Sequence, residues 1–97
     1  MTVLDVGCGS GDFTSTLHEK LEAKKAIGLE SSPRMLAASR LKTAARLEFE
    51  AGNINNVDLN LKVDLVFSNG VLHYAQDSYA VLKFFRNLLA PRGQIAI

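Results

Sequence analysis

Cysteine is almost absent from this chain. Cys8 stands alone among 97 residues, so no internal disulfide can form, and the composition fits a reducing compartment. An excess of charge of one sign is lacking too. Eleven Lys and Arg against ten Asp and Glu leave a net charge of +1, which argues for neither a nucleic acid nor a membrane surface as partner. No apolar run approaches the roughly 18 residues of a membrane span. Gly, Pro and Ser never cluster into a linker, and there is no internal repeat or low-complexity tract. The chain opens directly on a strand-like run, so no signal peptide is expected and the cytoplasm is the expected location. At this length one small domain is the ceiling. An apolar content of 47% still supports a real core.

What the chain does have is concentrated at its start. Thr2–Val6 carries a short apolar run, Val3, Leu4 and Val6, that reads as a buried strand. Glycines follow at alternate positions, Gly7, Gly9 and Gly11. Phe13, Leu17 and Leu21 then recur at a helical spacing of four. Strand, glycine loop and helix together are the setting in which a glycine pattern signals a nucleotide-type ligand. Without a Cβ the loop can take positive φ and let a ligand approach the backbone. The helix that follows points its first amide groups into the same crevice. Asp12 stands where the dinucleotide pattern G-x-G-x-x-G needs its third glycine. A carboxylate there would face a pyrophosphate. With Asp5 ahead of the first glycine, the pattern suits a ligand without phosphates, including one that carries positive charge. The plainer alternative is a tight turn that holds nothing. Cys8 inside the loop invites a nucleophile reading, but a small residue tolerated in a crowded turn is preferred.

Beyond the loop, a first helix is predicted over about 12–23, with His18 on its solvated side. Residues 24–30 read as a second strand with Ala26, Ile27 and Leu29 as its core. Glu30 ends it, 19 positions after Gly11. An acid this far past a glycine loop can accept hydrogen bonds from both ribose hydroxyls of an adenosine ligand. It can equally be an ordinary strand-end glutamate. Ser32 reads as an N-cap and Pro33 as the first residue of a second helix, which continues through Met35, Leu36 and Leu41 to about Lys42. Leu47–Ala51 alternates as a third strand, followed by Gly52, Asn53 and Ile54. Asn53 can accept from an adenine amine and Ile54 can lie on the ring, or Gly52 and Asn53 simply turn. Val63–Ser68 is the fourth strand, then Asn69-Gly70 and Val71-Leu-His-Tyr74. In an open α/β sheet the crevice lies at the carboxyl ends of the strands. His73 and Tyr74 are therefore candidates to touch a substrate, with a plain helix start as the alternative. Ser78 caps a predicted helix reaching about Ala90, Pro91-Arg-Gly93 reads as a turn, and Gln94–Ile97 as a fifth strand. Alternating strands and helices predict an α/β domain: a parallel sheet in the order 3-2-1-4-5, helices on both faces.

Five segments in this order carry a resemblance: Leu4-Asp-Val-Gly-Cys-Gly-Ser-Gly11, Ile27-Gly-Leu-Glu30 with Ser32-Pro-Arg-Met-Leu36, Gly52-Asn53, Asp64-Leu-Val-Phe-Ser-Asn69 and Leu89-Ala-Pro-Arg-Gly93. Together they resemble the successive motifs of class I S-adenosylmethionine-dependent methyltransferases, over nearly the whole chain. Ser68-Asn69 followed by Leu72-His73-Tyr74 is most similar to small-molecule methyltransferases of the trans-aconitate and malonyl-carrier-protein kind. The resemblance implies a Rossmann-like three-layer α/β/α sandwich. It implies S-adenosylmethionine as cofactor, S-adenosylhomocysteine as product, and a small-molecule methyl acceptor.

Roles follow by position. Asp5, Gly7 and Gly9 would hold the methionine portion, with Gly11 completing the loop. Glu30, beside Ser31, would hold the ribose hydroxyls. Met35 and Ile54 would flank adenine. Asn53 replaces the aspartate common at its place and can still accept from the adenine amine. Asn69 would face the methionine end. No metal ligand is implied. The family's sheet has seven strands in the order 3-2-1-4-5-7-6, and its N-terminal helix covers the cofactor. Against that pattern this chain is expected to be one partial domain over residues 1–97, the cofactor-binding half. It would lack strands six and seven, show little turnover alone, and self-associate through its open sheet edge. A binding-only module that holds the cofactor without turnover is the competing reading. A nicotinamide-dependent oxidoreductase ranks third because of Asp12.

Overall fold

A computed structural model describes residues 1–52, 62–68 and 77–97. Its five strands form one sheet in the order β3-β2-β1-β4-β5, where β1 is Thr2–Val6, β2 Lys25–Glu30, β3 Leu47–Ala51, β4 Val63–Ser68 and β5 Leu89–Ala96. Every pairing is parallel. The expected order and strand direction are both met. In register, Val6 lies between Leu29 of β2 and Ser68 of β4. Three strand ends therefore converge where the glycine loop begins.

Side chains alternate across a strand, and the core divides accordingly. Leu4, Val6, Ile27, Leu29, Val63 and Val66 gather on one face with Val81, Phe85 and Leu88 of helix α3, Ser78–Leu88. Val3, Ala26, Leu47 and Phe49 gather on the other. There they meet Leu36 of α2, Pro33–Arg40, and the partly buried Leu17 of α1, Asp12–Lys20. Each fully buried Val, Leu, Ile or Phe contributes about 1.5–3 kcal/mol. The central strand β1, with four consecutive buried residues, anchors the domain.

The helices end earlier than their periodicity predicts. α1 stops at Lys20, not Ala23, because Glu22 takes a left-handed φ of 49° while Ala23 N–H returns to the His18 carbonyl. α2 stops at Arg40, and Leu41, expected in the stripe, is 88% exposed. Its start is as expected: Ser32 Oγ accepts from Met35 N–H and Pro33 opens the first turn. α3 has its N-cap at Asp77, whose carboxylate accepts from Ala80 N–H, one position before the expected Ser78. The Pro91–Gly93 turn is absorbed into β5. Five steps along β5, Leu89 to Gln94, match two along β4, Val63 to Leu65, with Arg92 at φ 67° inside the bulge.

Phe13 and Leu21 were expected on the core stripe of α1, but both are exposed, at 48% and 41%. Thr14 is the buried side chain of that helix. The Phe13 ring instead meets Phe67 of β4, with centroids 4.7 Å apart and a tilt of 37°.

Candidate functional site

The loop between β1 and α1 sits at the carboxyl edge of the sheet. Gly7, Gly9 and Gly11 all hold positive φ, 76°, 58° and 84°, which other residues adopt only under strain. Gly11 is also enclosed: a Cβ there would lie 2.7 Å from a ring carbon of Phe49. Four amides of this loop are already engaged. Gly7 and Cys8 N–H both donate to the Leu29 carbonyl at 2.8 and 2.9 Å, and Gly11 N–H donates to Cys8 O. Gly9 N–H donates to Glu30 Oε1 at 2.8 Å. Four donors that a phosphate cradle would turn toward its ligand are thus satisfied within the protein.

Two acids stand beside the loop. Asp5, on β1, is 3% exposed, and its Oδ2 accepts from Thr14 Oγ1 at 2.7 Å. Burial pushes its carboxyl up, the Thr14 hydrogen bond pulls it back, and the Glu30 charge adds to the rise. Glu30, half-buried at the end of β2, uses both oxygens: Oε1 takes Gly9 N–H and Oε2 takes Ser32 N–H at 2.9 Å. Cys8 is buried, and its thiol is pushed up to about 12, first by burial and then by the Asp5 and Glu30 charges. A thiol held protonated is a poor nucleophile. The crowded-turn reading of Cys8 is the one its surroundings fit.

Of the residues singled out in the sequence, Asp5, Gly7, Gly9, Gly11, Glu30 and Met35 come together around this loop. The Met35 methyl would lie 3.5 Å from a Cβ placed on Gly9. Ser31 is exposed in the turn between β2 and α2. Asn53, Ile54, Asn69, His73 and Tyr74 lie outside the described residues. His18 lines an open groove with Glu19, Glu22 and Arg46, a lining that does not include Asp5 or Glu30.

Three residues escaped the sequence. Thr14 could have been found, since a polar residue in the core-facing phase of a helix needs a buried partner. Lys42 could not. Its ammonium reaches from beyond α2 to donate to the Ser10 carbonyl at 2.8 Å and pairs with Asp12 at 3.1 Å. With Ser10 Oγ donating to Asp12 as well, the Asp12 carboxyl is held below its ordinary value. The third is Ser68, fully buried at the end of β4 beside Val6, whose hydroxyl has no partner among the described residues. Among those residues no group of three or more His, Cys, Asp or Glu is placed to hold a metal ion, and no helix is long and apolar enough to cross a membrane.

A parallel α/β sheet with a glycine loop after its central strand and an acid ending the next defines a Rossmann-like ligand-binding domain. Comparison narrows the class. A family model described as a methyltransferase domain matches residues 1–97, and the chain belongs to that methyltransferase-domain family. A trans-aconitate 2-methyltransferase of Escherichia coli O1:K1 / APEC is 35% identical over 95 residues, 98% of this chain and 37% of the relative. An S-adenosylmethionine-dependent methyltransferase from Mesorhizobium loti superposes with a TM-score of 0.89 at 29% identity, over 97% of this chain and 44% of that one. CalS10, an amino pentose methyltransferase from Micromonospora echinaspora solved with S-adenosylmethionine, gives 0.83 at 28%, over 97% and 40%. The chain spans little more than a third of the length of the curated relatives it matches.

Proposed function

We propose that this chain is the cofactor-binding core of a methyltransferase that uses S-adenosylmethionine and acts on a small-molecule acceptor. One observation carries the proposal: four of the loop's amides, those of Gly7, Cys8, Gly9 and Gly11, are spent internally while two carboxylates, Asp5 and Glu30, stand beside it. Such a site suits a ligand that is cationic and free of phosphate. When bound, the cofactor supplies a methyl group already activated on a sulfonium.

The protein's task is then to hold and orient, which supplies much of the rate in reactions of this kind. Glu30 accepts from ribose hydroxyls, Met35 borders adenine beside Ile54 and Asn53, and Asp5 faces the methionine end with Gly7, Gly9 and Asn69. His73 and Tyr74 face the acceptor. A carboxylate acceptor, as the trans-aconitate relatives suggest, needs no general base because it is already nucleophilic. The lone thiol fits a reducing, cytoplasmic setting.

Calorimetric titration tests this with S-adenosylhomocysteine and NAD side by side. Binding of the first and not the second is the expected result. Binding of NAD alone would overturn the proposal and restore the dinucleotide reading.

A further inference from the structure

Glu30 does something that a ribose contact alone does not require. Its carboxylate bridges two backbone amides from different loops, Gly9 N–H at 2.8 Å and Ser32 N–H at 2.9 Å. Gly9 is the middle of the glycine loop and holds φ 58°. Ser32 is the N-cap of α2. On the far side, the loop is fastened to β2 by Gly7 and Cys8 N–H on the Leu29 carbonyl. The residue next after Leu29 therefore completes a three-point attachment of the loop to the end of one strand. The Met35 methyl, carried by the helix that Ser32 caps, lies against Gly9. A carboxylate between the two amides thus sets the spacing between the loop and the turn that would flank the adenosine.

We infer that Glu30 is a positioning residue for the glycine loop as well as a ligand contact, organising both walls of the crevice before the cofactor enters. This rests on the cofactor reading above and deepens it. Charge-assisted hydrogen bonds are about twice as strong as neutral ones, and each oxygen keeps a second lone pair for a hydroxyl. Pinning the loop and binding ribose are therefore compatible. Glutamine cannot replace the clamp. It has nearly the same shape, but its NH2 group would point at one of two N–H donors, leaving that amide facing a like partner.

The two roles separate with a pair of ligands: S-adenosylhomocysteine and its 2′,3′-dideoxy analogue, which lacks both ribose hydroxyls. Each is titrated into the wild type and Glu30→Gln. If Glu30 acts only through the hydroxyls, the substitution leaves affinity for the dideoxy analogue unchanged. If it also sets the loop, that affinity falls by about tenfold, the scale of one hydrogen bond to a charged group. Equal binding of the dideoxy analogue by wild type and variant would overturn the inference. Amide exchange on the ligand-free wild type gives a second measurement that needs no variant. Gly9 and Ser32 N–H should be protected, and exchange at unstructured-chain rates for both would overturn the clamp. A wild type that binds neither compound sinks the cofactor reading, and the exchange rates then still decide the clamp.

Discussion

Thr14 Oγ1 donates a 2.7 Å hydrogen bond to Asp5 Oδ2, and both side chains are withdrawn from water, at 0% and 3% exposure. The first helix is thereby joined to the central strand beneath the glycine loop by a polar contact, in addition to the apolar packing of Leu17. Replacing Thr14 with Val keeps the volume and leaves the buried carboxylate without its donor. That should lower stability by about 1–3 kcal/mol, the penalty for an unsatisfied buried group. Asp5→Asn should do the reverse, because it removes a buried charge and its repulsion with Glu30. A gain of roughly 0.5–2 kcal/mol is expected, as when a functional residue is relaxed, at the expense of ligand affinity. The pH dependence carries the same sign. Asp5's folded carboxyl titrates above its ordinary value of 3.8, so the folded state binds the proton more tightly than the unfolded one. Its contribution to stability is most favourable below 3.8 and declines as pH rises through the folded value. Denaturant unfolding of both variants across that range checks the direction. An Asp5→Asn variant less stable than wild type at neutral pH would contradict it.

Gly28 makes the second case. It lies in mid-strand β2 between Asp5 and Phe49 of the neighbouring strands. A Cβ there would come within 2.7 Å of Phe49 Cδ1 and 2.8 Å of Cys8 Sγ. The glycine is a matter of space, since both neighbours are buried core side chains. Gly28→Ala should cost about 1–3 kcal/mol by overpacking, and Gly28→Ala with Cys8→Gly should recover part of the loss. Urea midpoints of the two variants measure this, and an unchanged midpoint for Gly28→Ala would show that the core yields.

Much of the fold was legible because the central strands β1 and β2 are buried on both faces and read as near-continuous apolar runs, while β3 alternates. β1, β3 and β4 begin and end where their sequence pattern does. The helix ends were not legible, because the stopping signal is a backbone conformation. Glu22 at φ 49° does the work usually left to glycine, while Leu21 and Leu41 extend the periodicity past the last turn. Phe13 misled for a related reason. The loop delivers α1 to the sheet in the phase shared by Thr14 and Leu17, three residues apart, and Phe13 falls outside it. β5 misled because pairing with β4 overrides turn chemistry and keeps Pro91–Gly93 as a bulge. Within the site, loop and acids were legible by type and spacing. Which groups those acids bind was not: Asp5–Thr14 and Glu30–Gly9 are products of packing between elements.

The last prediction concerns the outer strand of the sheet in the 97-residue chain. Among the described residues β5 lies outermost, beyond β4, and unpaired N–H and C=O groups along an outer strand invite another chain. From residues 94–97 alone, which carry no charge or proline, self-association through this edge is expected. The full strand is better defended. It is Leu89–Ala96, with Pro91 and the Arg92 bulge in its first half, and proline and bulges are the devices that blunt edges. The regular stretch against β4 is only Gln94–Ala96. Antiparallel pairing of two such stretches about a twofold axis, the simplest closed arrangement, would give a small interface. Association should therefore be weak, with a Kd of about 100 μM or above. Sedimentation across a wide concentration range decides it. A monomer of 10.6 kDa at low concentration, giving way reversibly to dimer, is the expected result. A dimer that persists at about 1 μM, some three kcal/mol tighter than this, would mean that the chain pairs through a larger surface than this edge.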